Sequence, residues 1–216
     1  MSIKVEVFCD SGYSANTYLI YDNTKCIVVD PANSIKTLKK FIGNRQLMGV
    51  LLTHGHYDHF MELSNLLKEF NVKVYLHQNA YKKLMNDNLS CAILFGKTFK
   101  IDLDENHIVF VNESSKLDFD FVQVKVLYTP GHTNCSVVYQ IDDLLFCGDL
   151  LFPMSVGRND LPTGNVILLN ESLKRIKKME QNVIVHPGHD EIFLLKDALK
   201  FNPYLKWRII SSLFLY

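Results

Sequence analysis

The sequence predicts a four-layer α/β sandwich, in which two sheets pack face to face and helices cover both outer faces. Two observations carry that prediction. Strand-type runs precede helical ones in each half of the chain, an order that suits two packed sheets better than the strict βαβ alternation of a doubly wound parallel sheet. The 216 residues, 48% of them apolar, hold no Pro/Gly/Ser-rich linker, low-complexity run or internal repeat, so residues 1–216 read as one domain with a sizeable core.

In chain order, Lys4–Phe8, Thr17–Tyr21 and Cys26–Asp30 are rich in Val, Ile and Tyr and are separated by Ser11-Gly12 and Asp22-Asn23, which reads as a meander. Ser34–Ile42 has helical periodicity and Gly49–Thr53 is a short buried strand. Phe60–Phe70 carries Leu63, Leu66, Leu67 and Phe70 at helical spacing, Val72–Leu76 is a strand and Ala80–Met85 a short helix, while Asn88–Lys100 fits neither period. The second half has strands at Ile108–Val111, Val122–Tyr128, Val137–Ile141 and Leu144–Cys147. A helix over Val166–Met179, a strand at Val183–Val185 and a helix near Ile192–Leu199 complete it.

Composition excludes several classes of function. With 23 Lys+Arg against 23 Asp+Glu the formal charge is zero, and the apolar content lies outside the disordered regime. No basic block offers an electrostatic footprint, so neither nucleic acid nor a membrane surface is an expected partner. Five cysteines (Cys9, Cys26, Cys91, Cys135, Cys147) form no C-x-x-C pair and the N-terminus lacks signal-peptide features, which predicts a reduced, cytoplasmic protein. The tail from Tyr204 to Tyr216 is broken by Lys206 and Arg208. It reads as a terminal helix burying Trp207, Ile210 and Phe214, with an oligomer contact as the alternative and the oligomeric state left open.

The chemistry concentrates in Thr53-His54-Gly55-His56-Tyr57-Asp58-His59, which places four potential metal ligands in six residues directly after an apolar strand. On a helix His54 and His56 would point roughly 200° apart, whereas in an extended segment i and i+2 share a face, so the two can grip one metal. Asp58 and His59 follow where the chain begins to curl and can face a second ion. A helix cap by Asp58 is the bland alternative, but three histidines and an aspartate exceed what a cap requires. Further ligand types sit at other strand ends: His132 in Thr129-Pro130-Gly131-His132-Thr133, Asp149 in Cys147-Gly148-Asp149, and His189 in His186-Pro187-Gly188-His189. Imidazole with carboxylate suits zinc, iron or manganese rather than calcium.

These motifs, together with Asn16-Thr17-Tyr18-Leu19-Ile20, Val29-Asp30-Pro31 and Gly157-Arg158-x-Asp160-Leu161-Pro162, resemble the metallo-β-lactamase-fold hydrolases and, within them, the short glyoxalase II-like branch. The resemblance spans nearly the whole chain and implies an αββα sandwich. It also implies two divalent ions, zinc first among them: one on His54, His56 and His132, a second on Asp58, His59 and His189, with Asp149 bridging. The reaction it implies is hydrolysis of a small-molecule acyl thioester of the S-lactoylglutathione kind, in which a metal-bridging hydroxide attacks the carbonyl and Asp58 takes up the proton. Asp149 argues against a β-lactamase by the same resemblance. Only 13 residues follow Pro203, so the C-terminal helical domain of long glyoxalase II enzymes is expected to be absent.

Other residues carry lesser expectations. Arg158 reads either as a residue that shapes the metal rim or binds a substrate carboxylate, or as half of a surface ion pair with Asp160. His186 reads as a donor to a ligand or a backbone carbonyl, His77 and His107 as structural, and Cys147 as a buried small hydrophobe. Gly96-Lys97-Thr98 imitates a P-loop end, but Cys91 stands where the upstream glycine belongs. The alternatives to a thioester hydrolase are a persulfide dioxygenase-like enzyme, with mononuclear iron on His54, His132 and Asp149, and a non-catalytic metal-binding module.

Overall fold

The fold is taken from a computed structural model, which describes residues 3–9, 12–99, 101, 103–180 and 182–206. The expected burial of Trp207, Ile210 and Phe214 lies outside the described residues. The first sheet contains β1 (Lys4–Phe8), β2 (Thr17–Tyr21), β3 (Lys25–Val29), β4 (Gln46–Leu51), β5 (Val74–His77) and β6 (Ile108–Val111), side by side in chain order. Its first three strands form the antiparallel meander read from sequence, and β3 to β6 run parallel. Parallel pairing requires crossovers. These are supplied by α1 (Ile35–Ile42), by α2 (Tyr57–Phe60) with α3 (Leu63–Glu69), and by α4 (Gln78–Leu84).

The second sheet contains β7 (Lys116–Asp118), β8 (Gln123–Tyr128), β9 (Val137–Ile141), β10 (Leu144–Gly148), β11 (Ile184–Pro187) and β12 (Phe193–Leu194), again in chain order across the sheet. Only β10 and β11 pair in parallel, and α5 (Val166–Ile176) connects them. Two helices follow, α6 (Leu195–Phe201) and α7 (Pro203–Lys206). No helix among the described residues is long and apolar enough to cross a membrane.

Period-two alternation assembles the four layers. On β2 and β3, Tyr18, Ile20, Ile27 and Val29 face inward and meet Val124, Val126, Tyr139 and Phe146 of the other sheet. Their neighbours Leu19, Cys26 and Val28 face outward and pack with Leu38 and Ile42 of α1, Leu63 and Leu66 of α3, and Leu84 of α4. On the far side Val138, Leu145 and Val185 pack against Leu169, Leu173 and Ile176 of α5 and Leu195 of α6. The αββα sandwich expected from the element order is the observed architecture.

The structure corrects several boundaries. The helix expected over Phe60–Phe70 is two, because the Glu62 amide bonds to the Pro31 carbonyl at 2.9 Å instead of continuing the turn. Its first part starts at Tyr57, inside the histidine motif. The helix expected near Ile192–Leu199 begins only at Leu195, since Phe193 and Leu194 pair with β11 as an edge strand. Strand β7 has no signature of its own in the sequence, because Leu117 is its one apolar residue and the pairing with β8 defines it. Within Asn88–Lys100 lies a 3₁₀ turn, Ala92–Phe95, set between two left-handed residues, Cys91 and Gly96.

Candidate metal centre

Every candidate ligand lies just beyond the C-terminal end of a strand, at one end of the sandwich. His54, His56, Asp58 and His59 follow β4, His132 follows β8, Asp149 follows β10 and His189 follows β11. Parallel and antiparallel strands of two sheets therefore deliver all seven groups to one place, the position where open α/β sheets commonly build sites. The structure brings them together in three overlapping sets whose donor atoms lie within 4.8 Å of one another: His54, His56 and His132; His54, His59 and Asp149; and Asp58, His59 and His189. Asp149 sits between the outer two, with Oδ2 3.5 Å from His132 Nε2 and Oδ1 3.2 Å from His59 Nε2. Asp58 Oδ2 is 3.1 Å from His189 Nε2.

The chain reaches this geometry by close backbone approach. A Cβ on Gly188 would stand 2.2 Å from Asp149 Oδ1 and 2.6 Å from His59 Cε1, so no other residue fits between these two ligands. Gly148 has a φ of +50° and turns the chain sharply before Asp149.

Hydrogen bonds to the far ring nitrogens fix the tautomers. His132 Nδ1 donates to the Arg158 carbonyl at 2.7 Å, and His59 Nδ1 donates to Asp30 Oδ2 at 2.8 Å. Thr53 Oγ1 gives its proton to Asp30 Oδ2 at 2.6 Å and so accepts from His54 Nδ1 at 3.1 Å. Each ring then turns a lone pair on Nε2 toward the cluster, the arrangement that orients imidazoles for a metal. Buried His54 Nε2, His56 Nε2, His59 Nε2 and Asp149 Oδ1 have no hydrogen-bond partner. Buried polar atoms are rarely left so; His54, His59 and Asp149 share one donor set, and His56 faces the cluster through Nδ1, 2.9 Å from His132 Nε2, which together fit bound cations.

The electrostatics favour neutral imidazoles at His54, His56 and His132, an ionised Asp149 and, through the carboxylates beside them, protonation of His59 and His189. Burial, reinforced by neighbouring imidazoles, pushes His54 and His56 far down from the usual histidine range, and burial lowers His132. For His59 burial acts in the same direction, but the Asp149 and Asp30 carboxylates outweigh it and raise the group. At His189 burial is likewise outweighed, here by the hydrogen bond to Asp58 and the charge of Asp149. Burial of Asp149 opposes ionisation, yet His59, His132 and His189 together hold it well below the usual carboxylate range.

Three positioning residues carried no assigned role at the sequence level. Asp30, 2% exposed and with a φ of +50°, holds His59, the Thr53 hydroxyl and the Thr53 amide. Asn16 and Tyr18 clamp the His189 loop: Asn16 Nδ2 donates to the carbonyls of Pro187 and Asp190, at 3.1 and 2.9 Å, and the Tyr18 hydroxyl donates to Pro187 at 2.6 Å. All three stand in motifs that carry the family resemblance, which was the available signal.

The lesser expectations resolve individually. Arg158 is held by Asp160 through two bonds of 2.7 and 2.8 Å, and both side chains are exposed. It shapes the rim through its backbone carbonyl, and its guanidinium is engaged by that partner rather than directed at the cluster. His186 donates to the Ile184 carbonyl at 3.3 Å and stacks on Phe146. His77 accepts from the Asn79 amide to cap α4, His107 bonds to Asn71, and Cys147 is buried.

Comparison with known proteins agrees with this geometry. The Metallo-beta-lactamase superfamily profile matches residues 10–189, and the chain belongs to that superfamily. A hydroxyacylglutathione hydrolase of Francisella tularensis subsp. novicida is 32% identical over 210 residues, covering 91% of this chain and 74% of that protein. Among solved structures, the BLEG-1 B3 metallo-beta-lactamase superposes with a TM-score of 0.88 at 27% identity, covering 94% of this chain and all of that one. TTHA1623, solved in a di-iron-bound form, superposes with a TM-score of 0.82 at 28% identity, covering 93% and 100%. The chain thus resembles a protein described as a β-lactamase as well as one described as a hydroxyacylglutathione hydrolase.

Proposed function

We propose that the protein is a binuclear metal-dependent hydrolase of small-molecule acyl thioesters, S-lactoylglutathione being the reference substrate. The carrying observation is the pair of outer donor sets with Asp149 between them. His54, His56 and His132 would hold one ion, Asp58, His59 and His189 the other, and Asp149 would touch both. Zinc suits this imidazole and carboxylate set, and the di-iron relative makes iron an equal claimant. When bound, two such ions supply the Lewis acidity that lowers the pKa of water and polarises a carbonyl.

The chain's own groups do the rest. Asp58 Oδ2 faces the cluster and takes the proton from the attacking water. Water adds to the acyl carbon, the C–S bond breaks, and the products are a carboxylic acid and a free thiol. Tyr57, between His56 and Asp58, also lines a cavity of about 630 Å³ with Tyr13, Phe95 and Lys97, which offers room for one arm of a thioester. The same reading takes residues 1–216 as a single domain that acts on a small molecule without nucleic acid or membrane, in a reducing cytoplasmic setting. Four buried cysteine thiols accord with that setting.

The deciding experiment is anaerobic turnover of S-lactoylglutathione and a panel of acyl thioesters by zinc- and iron-loaded protein, scored by thiol release. Release without dioxygen is the expected result. Oxygen consumption with glutathione persulfide, or turnover of β-lactams, with no thioester cleavage in either metal form would overturn it.

A further inference from the structure

Lys83 is the most deeply buried lysine or arginine of the described residues, 1% exposed on α4, and no carboxylate among them pairs with it. Its Nζ donates instead to Thr163 Oγ1 at 2.9 Å, the Leu89 carbonyl at 3.1 Å and the Pro162 carbonyl at 3.4 Å. Burying an amine without an opposite charge is costly, and an apolar residue of the same shape would avoid that cost. The contacts indicate what the cost maintains.

The stem of Lys83 lies against the His54-Gly55-His56 turn so closely that a Cβ on Gly55 would come within 2.8 Å of Lys83 Cβ and Cδ. The nitrogen end ties down two segments that flank the same turn. One holds Leu89 and Ser90, whose Ser90 carbonyl accepts the Tyr57 amide at 2.8 Å. The other is the loop of Arg158 to Thr163, whose Arg158 carbonyl fixes His132. Thr163 adopts a φ of +73°, unusual for a β-branched residue, and its hydroxyl also accepts the Asn134 amide at 3.3 Å. Lys83 is therefore one residue removed from His54 and His56 and connected through a loop to His132. Its link toward Asp58 is longer, running through Leu89, Ser90 and the Tyr57 amide, and none of its contacts leads to the His189 loop.

We propose that Lys83 is a positioning residue for one half of the centre, holding His54, His56 and His132 in register by supporting their turn and pinning the Arg158–Thr163 loop. This rests on the metal reading above. Supporting residues around metal ligands are worth about 10- to 100-fold in affinity. Chelator competition on zinc-loaded protein should show that Lys83→Met weakens one of two ions by that factor and leaves the other unchanged, with thermal stability of the apoprotein preserved. Cobalt-loaded protein identifies which ion: the paramagnetically shifted N–H signal of His132 should move or broaden, and that of His59 should stay. Asn16→Ala, which loosens the His189 loop, should give the opposite selectivity.

Equal weakening of both ions, or none, would overturn the role of Lys83 while leaving a two-ion wild type intact. Wild-type protein binding fewer than two ions would overturn the metal reading and this proposal with it. If Lys83→Met does not fold, Thr163→Ala keeps the lysine, removes one acceptor, and must show the same selective weakening to a smaller degree.

Discussion

At the scale of single residues, Asp58 has two duties that a substitution can separate. Its carboxylate stands 3.1 Å from His189 Nε2, as a ligand would, and it is the acidic group assigned to the proton. Asp58→Ala in metal-replete protein should lower kcat at least about 100-fold, the low end for a lost proton-transfer group, with circular dichroism unchanged. Wild-type turnover by the folded, loaded variant would remove Asp58 from the reaction. The residue types of the centre were legible in the chain because histidines and aspartates cluster just after apolar runs. Lys83 was not, since a lysine in a helix ordinarily faces solvent and only the packing of α4 buries it.

At the scale of elements, strand β11 carries a titratable group that acts on stability and lies outside the proposed ligand set. His186 is buried between Phe146 and Tyr18, and burial pushes its pKa down to about 4. The unfolded chain binds this proton near pH 6.5 and the folded chain only near pH 4, so stability falls as pH drops through that window. One such group contributes about 3 kcal/mol across it. Chemical denaturation from pH 7 to 4 should show a shallower loss for His186→Phe than for wild type, and equal slopes would show that His186 does not carry the shift. Elements with a clear period were legible, such as β2, β3 and α5. Short ones that exist through pairing, β7 and β12, were not.

At the scale of the whole molecule, the centre joins loops from both sheets, so metal binding is linked to global stability. Saturation about 1,000-fold above the dissociation constant adds about 4 kcal/mol for each ion bound only by the folded chain. For a chain of this size that corresponds to a Tm shift of about 10 °C. Chelator-treated protein should therefore melt about 10 °C or more below the zinc-loaded form and recover on reloading. A Tm indifferent to chelation would mean that the seven groups do not bind metal tightly.

The sequence by itself determined the layer order and the ligand types, because both follow from local properties: side-chain period along a strand, and chemistry placed where a strand ends. Tertiary structure decided which lone pairs converge. Asp30 reaches His59 across 29 residues, Asn16 reaches the His189 loop from the other sheet, and Asp58 meets His189 only because β4 and β11 end at the same edge of the sandwich. Tautomer, orientation and support depend on partners distant in the chain, and hydrogen-bond geometry at 3 Å becomes defined only when the two sheets close on their common core.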